Sequence, residues 1–200
     1  MAYSDFTLED IKKKFQLLLR EDTNIFSHVE SIDVSDALQE ILQEYVPLAL
    51  AINTEKSRSE MMIAPMLIEF RRITKRQISL FSGLEFNVDV QQGLNGVCDF
   101  IISHSTEQLY ITAPIVMVVE AKNENMKAGF PQCIAAMVAA RLFNDRQDNR
   151  ITTLYGAVTT GNIWKFIQWG GGEVYIDLAE YYISNPGKIL GILASMVVAQ

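Results

Sequence analysis

The chain has 200 residues, of which 49% are hydrophobic and 20% are charged, and this is an ordinary globular composition. A chain of this length can bury a sizeable core without disulfide staples, so we expect one main domain. The formal net charge is −7 at pH 7. Proteins that bind nucleic acid on their own usually carry a basic surface, so this charge argues against tight, autonomous DNA binding unless a cation supplies local positive charge.

The sequence predicts a cytoplasmic protein that does not associate with membranes. Residues 1–10 contain acids and lack the apolar segment of a signal peptide, and every apolar run is far shorter than the ~20 residues that span a bilayer. Cys98 and Cys133 lie in apolar stretches and show no C-x-x-C spacing. We therefore expect both to be buried, reduced thiols.

Residues 1–50 are predicted to form a helical extension packed on the core. A capping box at Thr7–Asp10 is expected to start the first helix, and apolar residues follow at helical spacing: Ile11, Phe15, Leu18 and Leu19. A second amphipathic helix is predicted from Asp36 to Tyr45, with Pro47 closing it.

The main domain is predicted to span residues 51–200. It opens with a helix from Glu55 to Ile73, which Pro65 is expected to kink or to restart as a first turn. Alternating patterns then predict strands, the first two parted by Gly83: Gln77–Ser82, Glu85–Val90, Gly96–Ser103 and Ile115–Ala121. The last of these is apolar nearly throughout, which is typical of a central strand buried on both faces.

The remaining chain alternates again between helix and strand. A helix is predicted from near Pro131 to Phe143, and Gly161-Asn162 should join a hairpin. The predicted strands and final helix are Thr153–Thr160, Ile163–Trp169, Glu173–Asp177 and a helix from Gly187. This order indicates an α/β fold with a mixed sheet. The wide apolar stripe of the last helix suits either burial within the chain or a homodimer.

Three charged residues stand out within or directly after apolar strands. Glu120 and Lys122 are two positions apart, so the period of a strand places both on one face. Asp99 lies within the apolar strand that precedes theirs. Burying a carboxylate costs several kcal/mol unless a partner or a cation compensates it. The pattern therefore predicts a divalent-cation site, and the alternative is a buried ion pair without metal.

Magnesium fits this set of donors. Mg²⁺ takes one or two carboxylates together with waters and substrate phosphate, so Asp99, Glu120 and the carbonyl of Ala121 are the predicted ligands. Lys122 would orient the attacking water. Hydrolysis of a phosphodiester bond follows as a hypothesis.

The helix–strand–strand–strand–helix order, with Asp99 and Glu120-Ala121-Lys122 in place, resembles the PD-(D/E)XK nuclease superfamily, which has the restriction-endonuclease-like fold. The resemblance covers Glu55 to Trp169. It is nearest to uncharacterised cyanobacterial-type members, and looser to the nuclease domain of type I restriction motor subunits. It implies an αβββαβ core, dependence on Mg²⁺ (or Mn²⁺), and cleavage or repair of DNA.

Within this resemblance, Asp99, Glu120 and Lys122 match the motif acids and lysine, and Cys98 stands where the motif has proline. Gln132 resembles the helix glutamine that reaches the active site in several branches. The resemblance also implies an acid from the first core helix in the metal shell. Glu60 is the first choice because it shares a helical stripe with apolar residues, and its rivals are Glu55 and Glu69.

Three interpretations remain open at this point. The first is a metal-dependent endonuclease acting on DNA. The second is a catalytically inactive nuclease-fold protein that serves as an interaction or assembly module, which the acidic charge favours. The third is a nuclease subunit that needs a basic protein partner to reach DNA.

Overall fold

A computed structural model of the chain describes residues 1–149 and 151–198. Residues 150, 199 and 200 of the predicted main domain lie outside this description. The described chain forms an α/β fold in which a mixed sheet of eight strands lies between two layers of helices. The predicted α/β class with a mixed central sheet is thus confirmed.

The N-terminal segment contributes a strand as well as helices. Helix α1 (Leu8–Phe15) begins at the predicted capping box, where Thr7 and Asp10 bond to each other's backbone N–H groups. The helix ends at Gln16, which adopts a left-handed conformation. The prediction that Leu18 and Leu19 continue the helical face is therefore wrong, because Leu18–Arg20 forms strand β1 and pairs with the far edge of the sheet.

Helix α2 (Asp36–Ile52) runs through Pro47, so the predicted end at this proline is wrong. A proline inside a helix removes one backbone hydrogen bond. Here the buried face continues from Leu38 and Leu42 to Ala49, and this packing keeps the helix intact across the proline. The predicted boundary at residue 50 consequently falls inside a helix.

The first core helix consists of three consecutive parts. They are α3 (Glu55–Arg58), a π-helical turn (Ser59–Ile63) and α4 (Ala64–Ile73). The N–H of Ala64 bonds to the carbonyl of Ser59, five residues earlier, which is the π-helical spacing. Pro65 lies in the first turn of α4, as predicted.

The next three strands form an antiparallel meander: β2 (Ser79–Glu85), β3 (Val97–Ser103) and β4 (Ile115–Ala121). Strands β3 and β4 match the prediction. The prediction of two strands parted by Gly83 is wrong, because pairing with β3 continues on both sides of this glycine, which adopts a φ of +65°. The chain after β2 forms a loop with a short 3-10 turn at Val90–Gln92.

Helix α5 (Met126–Arg146) starts earlier than predicted. The side chain of Asn125 caps it by accepting the N–H of Ala128, and Pro131 lies inside the helix. Because this proline has no N–H, one carbonyl of the first turn of α5 lacks a hydrogen-bond donor within the helix. The first turn is exposed, so water can supply the missing hydrogen bond. The elements that follow are β5 (Thr153–Thr159), β6 (Ile163–Gly170), β7 (Glu173–Ile176), β8 (Tyr181–Tyr182) and α6 (Pro186–Val198).

The strand order across the sheet is β1-β7-β6-β5-β4-β3-β2, and β8 pairs with β6. Strands β4 and β5 are parallel neighbours, joined by α5. Helices α1 and α5 cover one face of the sheet, whereas α2, α4 and α6 cover the other. The apolar stripe of α6 is buried within the chain, so intrachain burial accounts for it, and a homodimer stays a prediction.

Within the described residues, no helix combines the length and the apolarity needed to cross a lipid bilayer. Cys98 and Cys133 are free and buried, as predicted.

Candidate active site

The predicted site residues meet at the C-terminal end of β4. Val118, Glu120 and Lys122 alternate toward the face that α5 covers. Lys122 Nζ lies 2.6 Å from Glu120 Oε1 and 3.1 Å from Gln132 Oε1. Three of the predicted residues are therefore in direct contact.

Asp99 reaches the same place from β3. Its Oδ2 atom accepts the backbone N–H of Ala121 at 2.8 Å. The last backbone pair between β3 and β4 is Phe100 with Val119. At Ala121 the aspartate side chain therefore takes the place of the backbone hydrogen bond that a longer pairing would form. No residue in the described ranges donates a hydrogen bond to Oδ1 of Asp99, which leaves this oxygen available to a ligand.

Glu120 is a strongly perturbed acid. Its side chain is 2% exposed, and burial followed by the charge of Asp99 raises its pKa to about 8, although Lys122 acts in the opposite direction. Near neutral pH this carboxyl tends to keep its proton, because the ionised form is poorly solvated when buried. A cation placed beside Asp99 and Glu120 would stabilise the ionised form.

Lys122 is held as a cation. Burial lowers the pKa of its ammonium group, but Glu120, then Glu55 and Asp99, raise it by more, and the pKa ends above its usual value. An ammonium group has three N–H donors. Glu120 and Gln132 take two of them, so one donor remains for a water or a phosphate oxygen.

The structure does not bring Glu60 to this site. Its carboxylate is exposed and lies 3.5 Å from Lys56 Nζ on the outer face of the helix. The π-helical turn that starts at Ser59 explains the difference, because it adds a residue to the turn and changes which positions face the sheet. The placement of Glu60 in the metal shell rested on a regular α-helical stripe.

The two rivals have different surroundings. Glu69 is buried, but it pairs with Arg72 at 2.6 Å and accepts the N–H of Ser35, so it joins α4 to α2. Glu55 lies at the first turn of α3, and its charge raises the pKa of both Glu120 and Lys122. Of the three acids that the sequence left open, Glu55 is the one whose charge acts on the site.

A network of polar side chains beside the site was missed. Asn123 Nδ2 donates to the carbonyl of Asn53 at 3.3 Å, and Arg58 donates to the carbonyl of Thr160 and to Asn53 Oδ1, both at 2.9 Å. These bonds attach the corner between α2 and α3, next to Glu55, to the ends of β4 and β5. The position of Asn123, directly after Lys122, was the available signal.

A glycine of α5 allows the helix to approach Lys122 closely. A Cβ atom added at Gly129 would lie 2.5 Å from Val158 Cγ1 and 3.2 Å from Lys122 Cγ. The helix can contact β4 and β5 at this point only because the side chain is missing. An isolated glycine within a helical pattern often marks a close contact of the helix with its neighbours, so Gly129 could have indicated this contact from the sequence.

The donor set suits magnesium better than zinc. In the described residues, no group of three or more histidine, cysteine, aspartate or glutamate side chains is arranged to hold a metal. Asp99, Glu120 and the carbonyl of Ala121 supply oxygen donors only, and Mg²⁺ commonly takes two carboxylates and completes its shell with water and phosphate. The buried, perturbed carboxyl of Glu120 also fits a cation site.

Comparison of the chain with protein-family models, with curated proteins and with solved structures gave no match.

Proposed function

We propose that the chain is a Mg²⁺- or Mn²⁺-dependent nuclease that hydrolyses phosphodiester bonds of DNA. The observation that carries the proposal is the contact of buried Glu120 with Lys122, next to Asp99 on the neighbouring strand. An acid with a pKa of about 8 at a strand end is unfavourable for stability alone, and such groups cluster at functional sites.

The order of elements supports this proposal. A helical segment, the antiparallel meander β2-β3-β4, helix α5 and the parallel strand β5 follow one another around the site. This is the order of the αβββαβ core of the restriction-endonuclease-like fold, and we propose that the chain has this core.

Asp99, Glu120 and the carbonyl of Ala121 would hold the cation, with Glu55 adding negative charge. A divalent cation bound there polarises a phosphoryl oxygen and lowers the pKa of a bound water. Lys122 uses its remaining N–H to orient the attacking water, while Gln132 keeps the ammonium group in place. A cation bound there would also favour the ionised form of Glu120.

The test is cleavage of DNA in Mg²⁺ or Mn²⁺ by the wild-type chain and by Lys122→Ala, with folding checked by circular dichroism. We expect the variant to lose cleavage. The matched control is Lys56→Ala, because Lys56 forms an exposed ion pair with Glu60 and should be dispensable. Undiminished cleavage by Lys122→Ala would overturn the role of this lysine.

A second candidate is an inactive nuclease-fold protein that acts as an interaction or assembly module. The net charge of −7 favours it, as does the ion pair of Lys122 with Glu120, which can satisfy both groups without metal. Calorimetric titration with Mn²⁺ separates the candidates. A site that is present in the wild-type chain and lost in Asp99→Asn contradicts the inactive module, whereas no binding favours it.

A nuclease subunit that needs a basic protein partner stays a third proposal, supported by the same acidic charge. Cleavage that requires such a partner, and is lost in Lys122→Ala, is its expected result.

A further inference from the structure

Two adjoining cavities lie on the α5 face of the sheet. One is lined by residues of α5, β6 and the chain after β7, among them Lys127, Phe130 and Lys165. The other is lined by residues of α1, among them Lys12. Both are also lined by Leu8 and Glu21, so they form one continuous surface, which we call the lysine groove.

The groove is lined by most of the lysines that have no partner among the described residues. The chain has nine lysines. Among the described residues, five of them bind a carboxylate, an aromatic ring or backbone carbonyls: Lys13, Lys14, Lys56, Lys122 and Lys188. Of the remaining four, Lys12, Lys127 and Lys165 line the groove, and only Lys75 lies elsewhere.

The acids of the groove cancel this charge only in part. Glu9 is paired with Lys13 at 2.6 Å. Asp177 is buried and accepts hydrogen bonds from Tyr181 at 2.7 Å and from the N–H of Ile25 at 2.9 Å. Glu21 and the buried Asp177 are thus the acids that face three lysines, and the groove keeps an excess of positive charge. The surface is locally basic in a chain that is acidic overall.

The groove adjoins the candidate active site. Lys127 lies two residues before Gly129, at whose position α5 contacts Lys122. Lys165 is the register partner of Val158, which contacts the same glycine, and paired residues share a face of the sheet. Lys165 therefore shares the sheet face of Val158, and Lys127 lies within one helical turn of the position at which α5 contacts Lys122.

We propose that the lysine groove binds the phosphates of one strand of the nucleic-acid substrate, first at Lys165 and Lys127 and then at Lys12. This inference rests on the proposed function, because it assigns the path by which a strand reaches the site. Neither α1 nor β6 belongs to the elements that carry Asp99, Glu120 and Lys122. The groove also explains how an acidic chain can hold a polyanion.

The test is fluorescence anisotropy with labelled single-stranded DNA and its duplex, in EDTA so that no cleavage occurs. The full chain is compared with Lys127→Gln/Lys165→Gln across a range of salt concentrations. Each lost phosphate contact should reduce the slope of log affinity against log salt by about 0.7 for a single strand, so we expect a reduction of about 1.4. Lys12→Gln should reduce it further.

Two control variants test whether the change in salt slope comes from the charges of the groove. Lys75→Gln removes one exposed lysine far from the groove and should leave the slope unchanged. Lys165→Arg keeps the charge of a half-buried residue and should retain the wild-type slope, which separates charge from packing. A deoxymononucleotide that competes as tightly as the strand would make the groove a pocket for one nucleotide and overturn a strand path.

Failure of the groove and failure of the nuclease are distinguishable. Cleavage in Mg²⁺ by the wild-type chain, together with an unchanged salt slope in Lys127→Gln/Lys165→Gln, overturns the groove alone. Binding that depends on the two lysines, without cleavage in Mg²⁺ or Mn²⁺, supports the groove and overturns hydrolysis. Absence of any binding by the wild-type chain at low salt also overturns the groove.

Discussion

The Oδ2 atom of Asp99 accepts the backbone N–H of Ala121 at 2.8 Å, where a regular antiparallel ladder would place a carbonyl of β3. The residue that the sequence marks as a cation ligand thus also completes the backbone hydrogen bonding of β4. The two carboxylate oxygens of Asp99 have different roles. Oδ2 accepts the backbone hydrogen bond from β4, and Oδ1 remains available to a ligand.

Substitution of Asp99 should separate these two roles. Asp99→Leu leaves the N–H of the buried Ala121 unpaired, so we expect the free energy of unfolding to fall by about 1–3 kcal/mol. Asp99→Asn keeps an acceptor oxygen and should lose much less. Urea denaturation of the metal-free chain measures both. Equal losses in the two variants would show that the hydrogen bond to Ala121 is unimportant.

The raised pKa of Glu120 predicts that stability falls as pH rises. The folded chain holds a proton on this carboxyl up to a pH of about 8, whereas the ordinary value is 4.5. The folded state therefore binds more protons between these values, and its stability declines across that window by up to about 1.4 kcal/mol per pH unit. Denaturation in EDTA at several pH values measures the decline.

Other groups also titrate in this window, so Glu120→Gln serves as the reference. The variant carries a neutral side chain of the same shape, and its stability should depend less steeply on pH between 4.5 and about 8. Parallel curves for the wild-type chain and the variant would contradict the assigned pKa.

Glu55 and Glu60 form a matched pair for testing the first core helix. Burial is the main cause of the raised pKa of Glu120, and Glu55 adds a smaller contribution. Glu55→Gln should therefore lower the pKa of Glu120, measured by NMR of the side-chain carboxyl, and weaken binding of Mn²⁺. Glu60→Gln should change neither, because Glu60 pairs with Lys56 at the surface. A larger effect of Glu60→Gln than of Glu55→Gln on Mn²⁺ binding would favour Glu60, the acid predicted from the sequence, as the residue that acts on the site.

Gln132 is expected to act by positioning Lys122. Gln132→Leu removes the acceptor 3.1 Å from the ammonium group, and a small displacement of Lys122 should reduce DNA cleavage by about 10-fold to 100-fold. The same substitution at Gln147, exposed at the far end of α5, is the control and should leave cleavage unchanged. Full activity of Gln132→Leu would remove this residue from the site.

Gly129→Ala tests the close approach of α5 to the sheet. The new Cβ would lie 2.5 Å from Val158 Cγ1, so the helix must shift, and we expect a loss of about 1–3 kcal/mol in stability. The melting temperature should fall by about 2–4 °C per kcal/mol in a chain of this size. Ala128→Ser, on the exposed side of the same turn, should stay within about 0.5 kcal/mol of the wild-type chain. An unchanged melting temperature would contradict the close packing.

Local patterns predicted the parts of the fold that carry the site. The alternation and length of β3 and β4 follow from side-chain periodicity, and the capping box of α1 follows from hydrogen bonds within one turn. The predictions at Pro47, Gly83 and Pro131 failed for a common reason. Each residue disfavours the local structure by a limited amount, and packing against the sheet or the neighbouring strand outweighs that cost.

Side-chain periodicity alone predicts the contact of Glu120 with Lys122, because residues two apart in a strand share a face. The sequence also shows that a second acid, Asp99, lies in an apolar strand. The choice of Glu55 over Glu60 required the folded structure, since the π-helical turn changes which helix positions face the sheet. The groove formed by Lys12, Lys127 and Lys165 also required it, because these lysines lie on three separate elements and meet only when the elements pack together.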